Sequence, residues 1–109
     1  MNLTATAQPE QLPGPRRDDL RLESVLAALS DPIRLSIVRT LAESPRAQRA
    51  CGTFGLPVGK STASHHFRVL REAGVIHQRH RGRERLNELR HADLNARFPG
   101  LLDSVVSAT

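Results

Sequence analysis

The chain has 109 residues, a formal charge of +5, one cysteine, three Phe and neither Trp nor Tyr. This length suits one modest core, and a single cysteine excludes an intramolecular disulfide framework. So few aromatic rings exclude the stacking platforms that bind unpaired bases, and no stretch is apolar over the length that a membrane-spanning helix needs. We therefore expect a cytoplasmic protein with no membrane partner.

The N-terminal segment, residues 1–17, is predicted to be a disordered tail. It has no apolar run of the kind found in a secretion signal, and Pro9, Pro13 and Pro15 interrupt a polar sequence. Residues 18–109 are expected to form the folded domain.

Two amphipathic helices are predicted to begin the core. The first runs from about Asp18 or Asp19 to Leu29, with apolar residues at helical spacing. Ser30-Asp31-Pro32 combines a capping side chain with proline at the first helical position, which predicts a second helix to about Glu43. Glycines then permit only a short helix over residues 46–54, which we interpret as the first helix of a helix-turn-helix.

The segment from Lys60 to Ile76 predicts a helix with two different faces. Its apolar stripe consists of Ala63, Phe67, Leu70 and Ala73. Ser61 is the expected N-cap and Gly74 the expected C-terminal stop. The opposite face presents hydrogen-bonding groups that suit a groove of DNA, although a solvated surface helix would show the same pattern. The recognition-helix residues predicted to contact DNA are Lys60, Ser61, Thr62, Ser64, His65 and Arg68.

Residues 75–89 favour the DNA-binding interpretation, because they predict a β-hairpin with a basic tip. Gly82 can supply the positive φ of a tight turn. Guanidinium groups gain little in a core and much beside phosphates. The wing residues predicted to contact DNA are Arg79, Arg81, Arg83 and Arg85. Residues 60–91 contain eight Lys or Arg and three Asp or Glu, a surplus as large as the +5 of the whole chain.

The complete pattern predicts a mainly α winged helix-turn-helix of the α+β class, with about five helices and one hairpin wing. After the hairpin, Asp93 can cap a turn of helix to Phe98, and Pro99 can start a last helix to about Ser107. A small monomer has little surface with which to cover the apolar stripe of that last helix. We therefore expect the stripe to pack on a second subunit.

Two ordered motifs resemble the ArsR/SmtB family of bacterial transcription regulators. Residues 28–41, ALSDPIRLSIVRTL, are similar to the family's LadptRlxILxlL segment, and residues 61–76, STASHHFRVLREAGVI, are similar to its SxxSxHLxxLxxAGlV segment. The resemblance implies a homodimer joined through its first and last helices, with a winged helix-turn-helix on each side. The residues predicted at the dimer interface are Leu22, Leu26, Leu101, Leu102 and Val105.

Most members of that family are repressors that leave DNA when they sense a metal ion or an oxidant, but neither of the family's metal sites is intact here. The Glu-Leu-Cys-Val-Cys-Asp-Leu motif would fall near residues 46–52, which contain one thiol, and the Asp-x-His motif meets residues 93–95, Asp-Leu-Asn. No cofactor is assigned with certainty, and the five histidines leave only weak Ni²⁺ or Zn²⁺ binding open.

Cys51 is the candidate sensor thiol. Arg46 and Arg49 lie close to it in sequence and would favour its reactive thiolate. The alternative, which we favour, is a small buried residue of the core.

These patterns predict a non-enzymatic, sequence-specific regulator that binds a palindromic operator in double-stranded DNA as a homodimer, acts as a repressor, and responds to metal or redox state. The alternative is a protein-interaction module that works with a separate sensor protein, with DNA binding secondary. No nucleophile, base and orienting acid can be assembled from the sequence, so an enzyme has no residue set behind it.

Overall fold

The computed structural model describes residues 10–44 and 47–108. In that part of the chain the elements are α1 (Leu22–Leu29), α2 (Pro32–Ala42), β1 (Arg49–Ala50), α3 (Lys60–Ala73), β2 (Ile76–Arg81), β3 (Glu84–Leu89), α4 (His91–Arg97) and α5 (Leu101–Ser107). Single turns of 3-10 helix at Arg17–Asp19 and Cys51–Thr53 precede α1 and α3. This order is that of a winged helix-turn-helix, which confirms the predicted fold class.

The first helix is shorter than predicted. Its predicted start is Asp18 or Asp19, but α1 begins at Leu22, after the 3-10 turn and an extended Leu20. The reason is tertiary, because Leu20 is 2% exposed and packs under Gly74 at the end of α3. A helix that continued through Leu20 would turn this side chain away from the core.

The start of α2 is confirmed. The Asp31 carboxylate accepts hydrogen bonds from the backbone N–H groups of Ile33, at 2.9 Å, and Arg34, at 3.0 Å, and Pro32 occupies the first turn. These bonds satisfy two of the donors that a helix start leaves open.

The two ends of α3 differ from each other. Its N-cap is Gly59, without a side-chain hydrogen bond, so the prediction that Ser61 caps this helix is wrong. The helix starts one residue before Ser61 because the Gly59 carbonyl already accepts from the Ala63 N–H, at 2.9 Å. Its C-terminal stop at Gly74 is confirmed, with a φ of 88°.

The predicted helix over residues 46–54 is wrong within the described part of that range. Arg49 and Ala50 instead form β1, which pairs with Asn87 and Leu86 of β3, and only Cys51–Thr53 makes a helical turn. The edge of β3 satisfies this backbone, and the Asn87 side chain also donates to the Arg49 carbonyl, at 3.0 Å. Arg46 lies outside the described residues.

The sheet has the antiparallel order β1-β3-β2. The predicted hairpin is confirmed, and Gly82 at its tip has a φ of 62°. Upstream, where the sequence analysis expects a tail to residue 17, backbone hydrogen bonds already join Glu10 and Leu12 to β2. Residues 1–9 lie outside the described range.

The core lies between α1, α2 and α3 and is closed by the sheet and α5. Its most deeply buried apolar side chains are Leu20, Val25, Ile37, Val38, Phe67, Leu70, Val75 and Ile76. The buried face of α3 agrees with its predicted apolar stripe, and its other face is left open to solvent. Over the described residues, none of the helices has the length and apolar character required to cross a bilayer.

Candidate nucleic-acid interface

The six predicted contact residues of α3 are all exposed. They are Lys60, Ser61, Thr62, Ser64, His65 and Arg68. The opposite side of the helix is fixed in the core, where Phe67 is 1% exposed and meets the Phe54 ring edge-on, with ring centres 5.1 Å apart. Such an aromatic contact adds to the burial that already orients the helix. The structure therefore presents the polar face of α3 on a rigid support.

His65 and Arg68 are coupled on this face. A guanidinium nitrogen of Arg68 lies 3.2 Å from Nδ1 of His65. Arginine can only donate, so Nδ1 accepts, and the neutral ring carries its proton on Nε2. The pair therefore presents two kinds of donor to a ligand, an imidazole N–H and a guanidinium. Donors of this kind suit the acceptor edge of guanine and the oxygens of phosphate.

One wing arginine joins α3 in a shared groove. Arg85 and four residues of α3 line an open groove of about 420 Å³; the α3 residues are Ser61, Ser64, His65 and Arg68. No carboxylate lines it. The recognition helix and the wing thus form one continuous surface of donors.

The other wing arginines do not share the sheet face of Arg85. In the hairpin register Arg85 pairs with His80, whereas Arg79 pairs with Leu86 and Arg81 with Glu84. Cross-strand partners share a face of a sheet, so Arg79 and Arg81 lie on the face opposite Arg85. Arg83 belongs to the turn and is exposed. The structure brings Arg85 to the recognition helix and leaves Arg81 and Arg83 at the tip.

On the sheet face opposite Arg85, the two arginines each lie close to a carboxylate. Arg79 is half-buried with its guanidinium 4.0 Å from Glu88, and Arg81 lies 3.6 Å from Glu84. Exposed pairs of this kind contribute little to stability, so they can be exchanged for phosphate. Arg79 is the less available of the two because its side chain is 29% exposed, against 68% for Arg81.

Two cations that the charge count assigned to this region are turned inward. Arg71 is 9% exposed and Arg90 is 5% exposed, and both donate to backbone carbonyls upstream of α1. The burial of these two arginines was not predicted, because an arginine on a helix or strand is ordinarily solvated. Within residues 60–91, the exposed positive charge is therefore concentrated in the helix face and the outer part of the wing.

Cys51 sits against a buried polar pair. Asn87, 0% exposed, donates to the Cys51 sulfur at 3.2 Å, and Gln78, 1% exposed, donates to the Asn87 carbonyl oxygen at 2.7 Å. Burial raises the pKa of the Cys51 thiol. The hydrogen bond from Asn87 and the charge of Arg85 oppose this rise in pKa only in part, and Arg49 donates instead to the Thr53 carbonyl. The half-buried thiol thus keeps its proton, which supports the interpretation of Cys51 as a packing residue.

Gln78 and Asn87 were not identified from the sequence. They occupy facing positions of β2 and β3, where the alternating pattern requires inward side chains. Two polar residues at paired inward positions are the signal that could have indicated a buried hydrogen-bonded pair.

The histidines are dispersed. His66 is buried, with its Nδ1 3.0 Å from an Arg34 guanidinium nitrogen. Burial lowers the pKa of His77, and the nearby Arg90 lowers it further. Across residues 10–44 and 47–108, no three His, Cys, Asp or Glu residues are grouped so that they could hold a metal ion.

The residues predicted at a dimer interface fall into two groups. Leu22 and Leu26 are 44% and 45% exposed, an unusual exposure for large apolar side chains. Leu101 and Val105 are half-buried, and Leu22 and Leu101 border one shallow apolar surface with Phe98 and Pro99. Leu102, in contrast, is 4% exposed and belongs to the protomer's own core.

Comparison with known proteins agrees with this geometry. A family model described as a helix-turn-helix domain matches residues 29–79, from the end of α1 into β2. An uncharacterized HTH-type transcriptional regulator of Bacillus subtilis (strain 168), YceK, is 38% identical over 90 residues, which cover 81% of this chain and 89% of that protein.

Proposed function

The chain belongs to the helix-turn-helix transcriptional regulators, and on that basis we propose that it is a sequence-specific repressor of the ArsR/SmtB kind that binds a palindromic operator as a homodimer. One observation carries the proposal: four exposed α3 residues and Arg85 of the wing line one groove without a carboxylate. A surface without anionic groups, on which hydroxyl, imidazole and guanidinium groups can all donate, is complementary to the phosphates and acceptor edges of a duplex.

The contacts divide by chemistry. Ser61, Ser64 and His65 lie in the N-terminal half of α3, which is the part of a recognition helix that meets base edges, and Arg68 lies one turn after Ser64 on the same face. Lys60, Thr62 and the wing residues Arg81, Arg83 and Arg85 supply phosphate or minor-groove contacts. Phosphate contacts set affinity and position, and base contacts set sequence preference. Replacing His65 or Arg68 should change which sequence is preferred, whereas replacing Arg83 should weaken all duplexes alike.

The dimer in this proposal uses the apolar surface of α1 and the start of α5. Leu22, Leu26 and Leu101 are the residues there with apolar area to cover. A two-fold dimer would present two copies of α3 to half-sites about one helical turn, ~34 Å, apart, which predicts an inverted repeat.

The experiment is enrichment of duplexes from a random-sequence library by the full chain, followed by light scattering of the protein with the enriched duplex. The proposal expects an inverted repeat bound by two copies of the chain. Leu22→Glu/Leu26→Glu should give a monomer that binds the same duplex far more weakly. A direct repeat, or a monomer that binds DNA only with a foreign chain, would instead support the interaction module.

The signal is tested in the same assay. Titration of the protein–DNA complex with Zn²⁺, Ni²⁺ and peroxide, beside the Cys51→Ser variant, asks whether an effector releases the duplex. A response that Cys51→Ser abolishes would identify the thiol as the sensor, against the expectation from its burial. A response that Cys51→Ser retains would place the sensing elsewhere.

A further inference from the structure

An extended segment upstream of α1 lies along the free edge of the wing. Gln11 pairs antiparallel with Arg79 of β2, the Leu12 N–H donates to the Gln78 carbonyl at 2.8 Å, and the His80 N–H donates to the Glu10 carbonyl at 2.8 Å. This pairing adds a fourth extended segment to the sheet, so that β2 has a hydrogen-bonded neighbour along both of its edges.

The same segment then crosses the C-terminal end of α3. The buried Arg71 of α3 donates to the Pro13 carbonyl at 3.1 Å, and Arg90, at the end of β3, donates to the Pro15 carbonyl at 2.7 Å. Gly14 passes so close to α3 that an added Cβ would lie 3.2 Å from the Arg71 carbonyl oxygen. The segment therefore contacts the recognition helix, β2 and Arg90, the residue that follows β3.

Two buried arginines, Arg71 and Arg90, hold this segment against the recognition helix and the wing. Among the described residues, the one hydrogen-bond partner of the Arg71 side chain is the Pro13 carbonyl, and the Arg71 Nε has none. A guanidinium can be buried at low cost only if it has an acceptor, and the Pro13 carbonyl supplies one, so Arg71 and the segment are buried against each other. Pro13 and Pro15 suit the role, because they restrict the chain while keeping their carbonyls as acceptors.

The direct covalent link between α3 and β2 is short, only Gly74 and Val75. Val75 and Ile76 fix the base of the hairpin in the core, whereas its outer part, residues 81–85, is exposed. A segment bonded to β2 on one side and to the end of α3 on the other braces this outer part against the helix. It thereby fixes the distance from the wing tip to the exposed face of α3.

We propose that residues 10–15 are a positioning strap, anchored by Arg71, that holds the wing where its arginines and the recognition helix meet the same duplex. This inference rests on the proposed function. The strap contacts no DNA itself; it acts through the placement of Arg81, Arg83 and Arg85. Loss of the strap should therefore remove phosphate contacts and leave the sequence preference of α3 unchanged.

A matched pair of proline substitutions tests the strap in the full chain. Leu12→Pro removes the N–H that bonds β2, whereas in this antiparallel pairing the N–H of the neighbouring Gln11 points away from β2. Gln11→Pro is therefore the control, since it keeps the backbone bonds and loses only the exposed contact of the Gln11 side chain with His77, at 3.3 Å. Arg71→Met breaks the anchor from the helix side and keeps the side-chain length. The probe is the duplex enriched by the wild-type protein, with affinity measured over a range of salt concentrations.

The strap predicts that Leu12→Pro and Arg71→Met weaken binding about tenfold and lower the slope of log K against log salt by about 1 to 2 units. Gln11→Pro should match the wild type, and all three should keep the wild-type preference among duplexes. Circular dichroism monitors folding, and if Leu12→Pro is unfolded the Arg71→Met comparison decides.

Two outcomes would overturn the strap. The first is wild-type affinity and salt slope in both Leu12→Pro and Arg71→Met. The second is equal weakening by Leu12→Pro and Gln11→Pro, which would make the effect independent of the β2 hydrogen bond. Failure of the wild-type protein to bind any duplex would instead remove the proposed function, so the two failures are distinguishable.

Discussion

The two ends of the recognition helix are built on opposite principles. At its C-terminal end, Gly74 is buried against Leu20 and Pro15, and Arg71 is held by a backbone carbonyl. At its N-terminal end, the Gly59 cap makes no side-chain hydrogen bond, and an added Cβ on Gly59 would meet no atom within 4 Å. The helix is anchored at one end and open at the other, and the open end carries the polar face that we assign to DNA.

This difference has a physical reason. A side chain that contacts a base must be available to it, so the polar side chains at the open end of α3 cannot be used to fix the helix within the protein. Its orientation must then come from elsewhere, which is the work of the closed end and of Phe67. Substitutions at matched positions of the two ends can measure how far this division holds.

The largest expected effect is at the closed end. Gly74→Ala should destabilise the fold by about 3 kcal/mol, because a φ of 88° is strained for alanine and the new Cβ would collide with Leu20. Gly82→Ala is the matched control, since its φ is also positive, 62°, but its surroundings are open. We expect it to cost only about 1 kcal/mol. Urea unfolding measures both; equal losses would show that packing at Gly74 contributes nothing.

The next effect concerns the two faces of the wing. Arg85→Ala should weaken duplex binding by about tenfold and lower the salt slope by about 1, because Arg85 lines the groove with α3. Arg79→Ala should have a clearly smaller effect, since Arg79 is half-buried beside Glu88 on the other face. Binding titrations at several salt concentrations provide the comparison. A larger loss from Arg79→Ala would place the duplex against the opposite face of the hairpin.

The sequence predicted three features that depend on near neighbours, although the helix cap that it assigned to Ser61 was wrong. The Asp31 cap, the Gly74 stop and the Gly82 turn each act through backbone groups a few residues away, so their residue types were sufficient evidence. The exposed face of α3 also followed from helical periodicity alone.

Features that depend on distant partners were not predictable in this way. β1 exists because the edge of β3 lies beside it, and Arg71 is buried because a segment far upstream crosses its helix. The wing is an intermediate case. Its arginines recur at every second position, yet the two-residue turn pairs Arg81 with Glu84 and so moves Arg85 to the other face. The turn length, rather than the spacing of the arginines, decides which of them reach the groove.

A smaller effect is expected at the start of α2, which shows what a capped helix start contributes. Asp31→Ala should cost about 1 kcal/mol near neutral pH, because two backbone donors lose their acceptor. Asp31→Asn is the control, since its amide oxygen can still accept. Thermal unfolding compares the stability of the two variants. Equal losses of stability would mean that the Asp31 charge, and not its hydrogen bonds, stabilises the helix start.

The Asp31 contribution should also depend on pH. The hydrogen bond from the Arg34 N–H lowers the pKa of the Asp31 carboxyl against the opposing effect of burial. A group whose pKa is lower in the folded state stabilises above its unfolded pKa, about 3.9, and this stability is lost as the pH falls through the folded pKa. The difference between wild type and Asp31→Ala should therefore narrow on acidification. A difference that grew below that pH would contradict the assignment.

The smallest expected effect is at the open end of α3. Gly59→Ser places a hydroxyl at a helix start that makes no side-chain cap, with space around the new Cβ. A serine cap should raise the free energy of unfolding by a few tenths of a kcal/mol, up to about 0.5, relative to glycine. Gly59→Ala is the control, because it adds the same Cβ without an acceptor and should be slightly destabilising. If serine improves stability but weakens duplex binding, the uncapped amides of α3 are themselves needed by the ligand, and the open end is kept open for phosphate. If serine improves both stability and duplex binding, the N-terminal end of α3 is simply a helix start without a good cap. The two ends of α3 would then differ only in that the C-terminal end is anchored in the core.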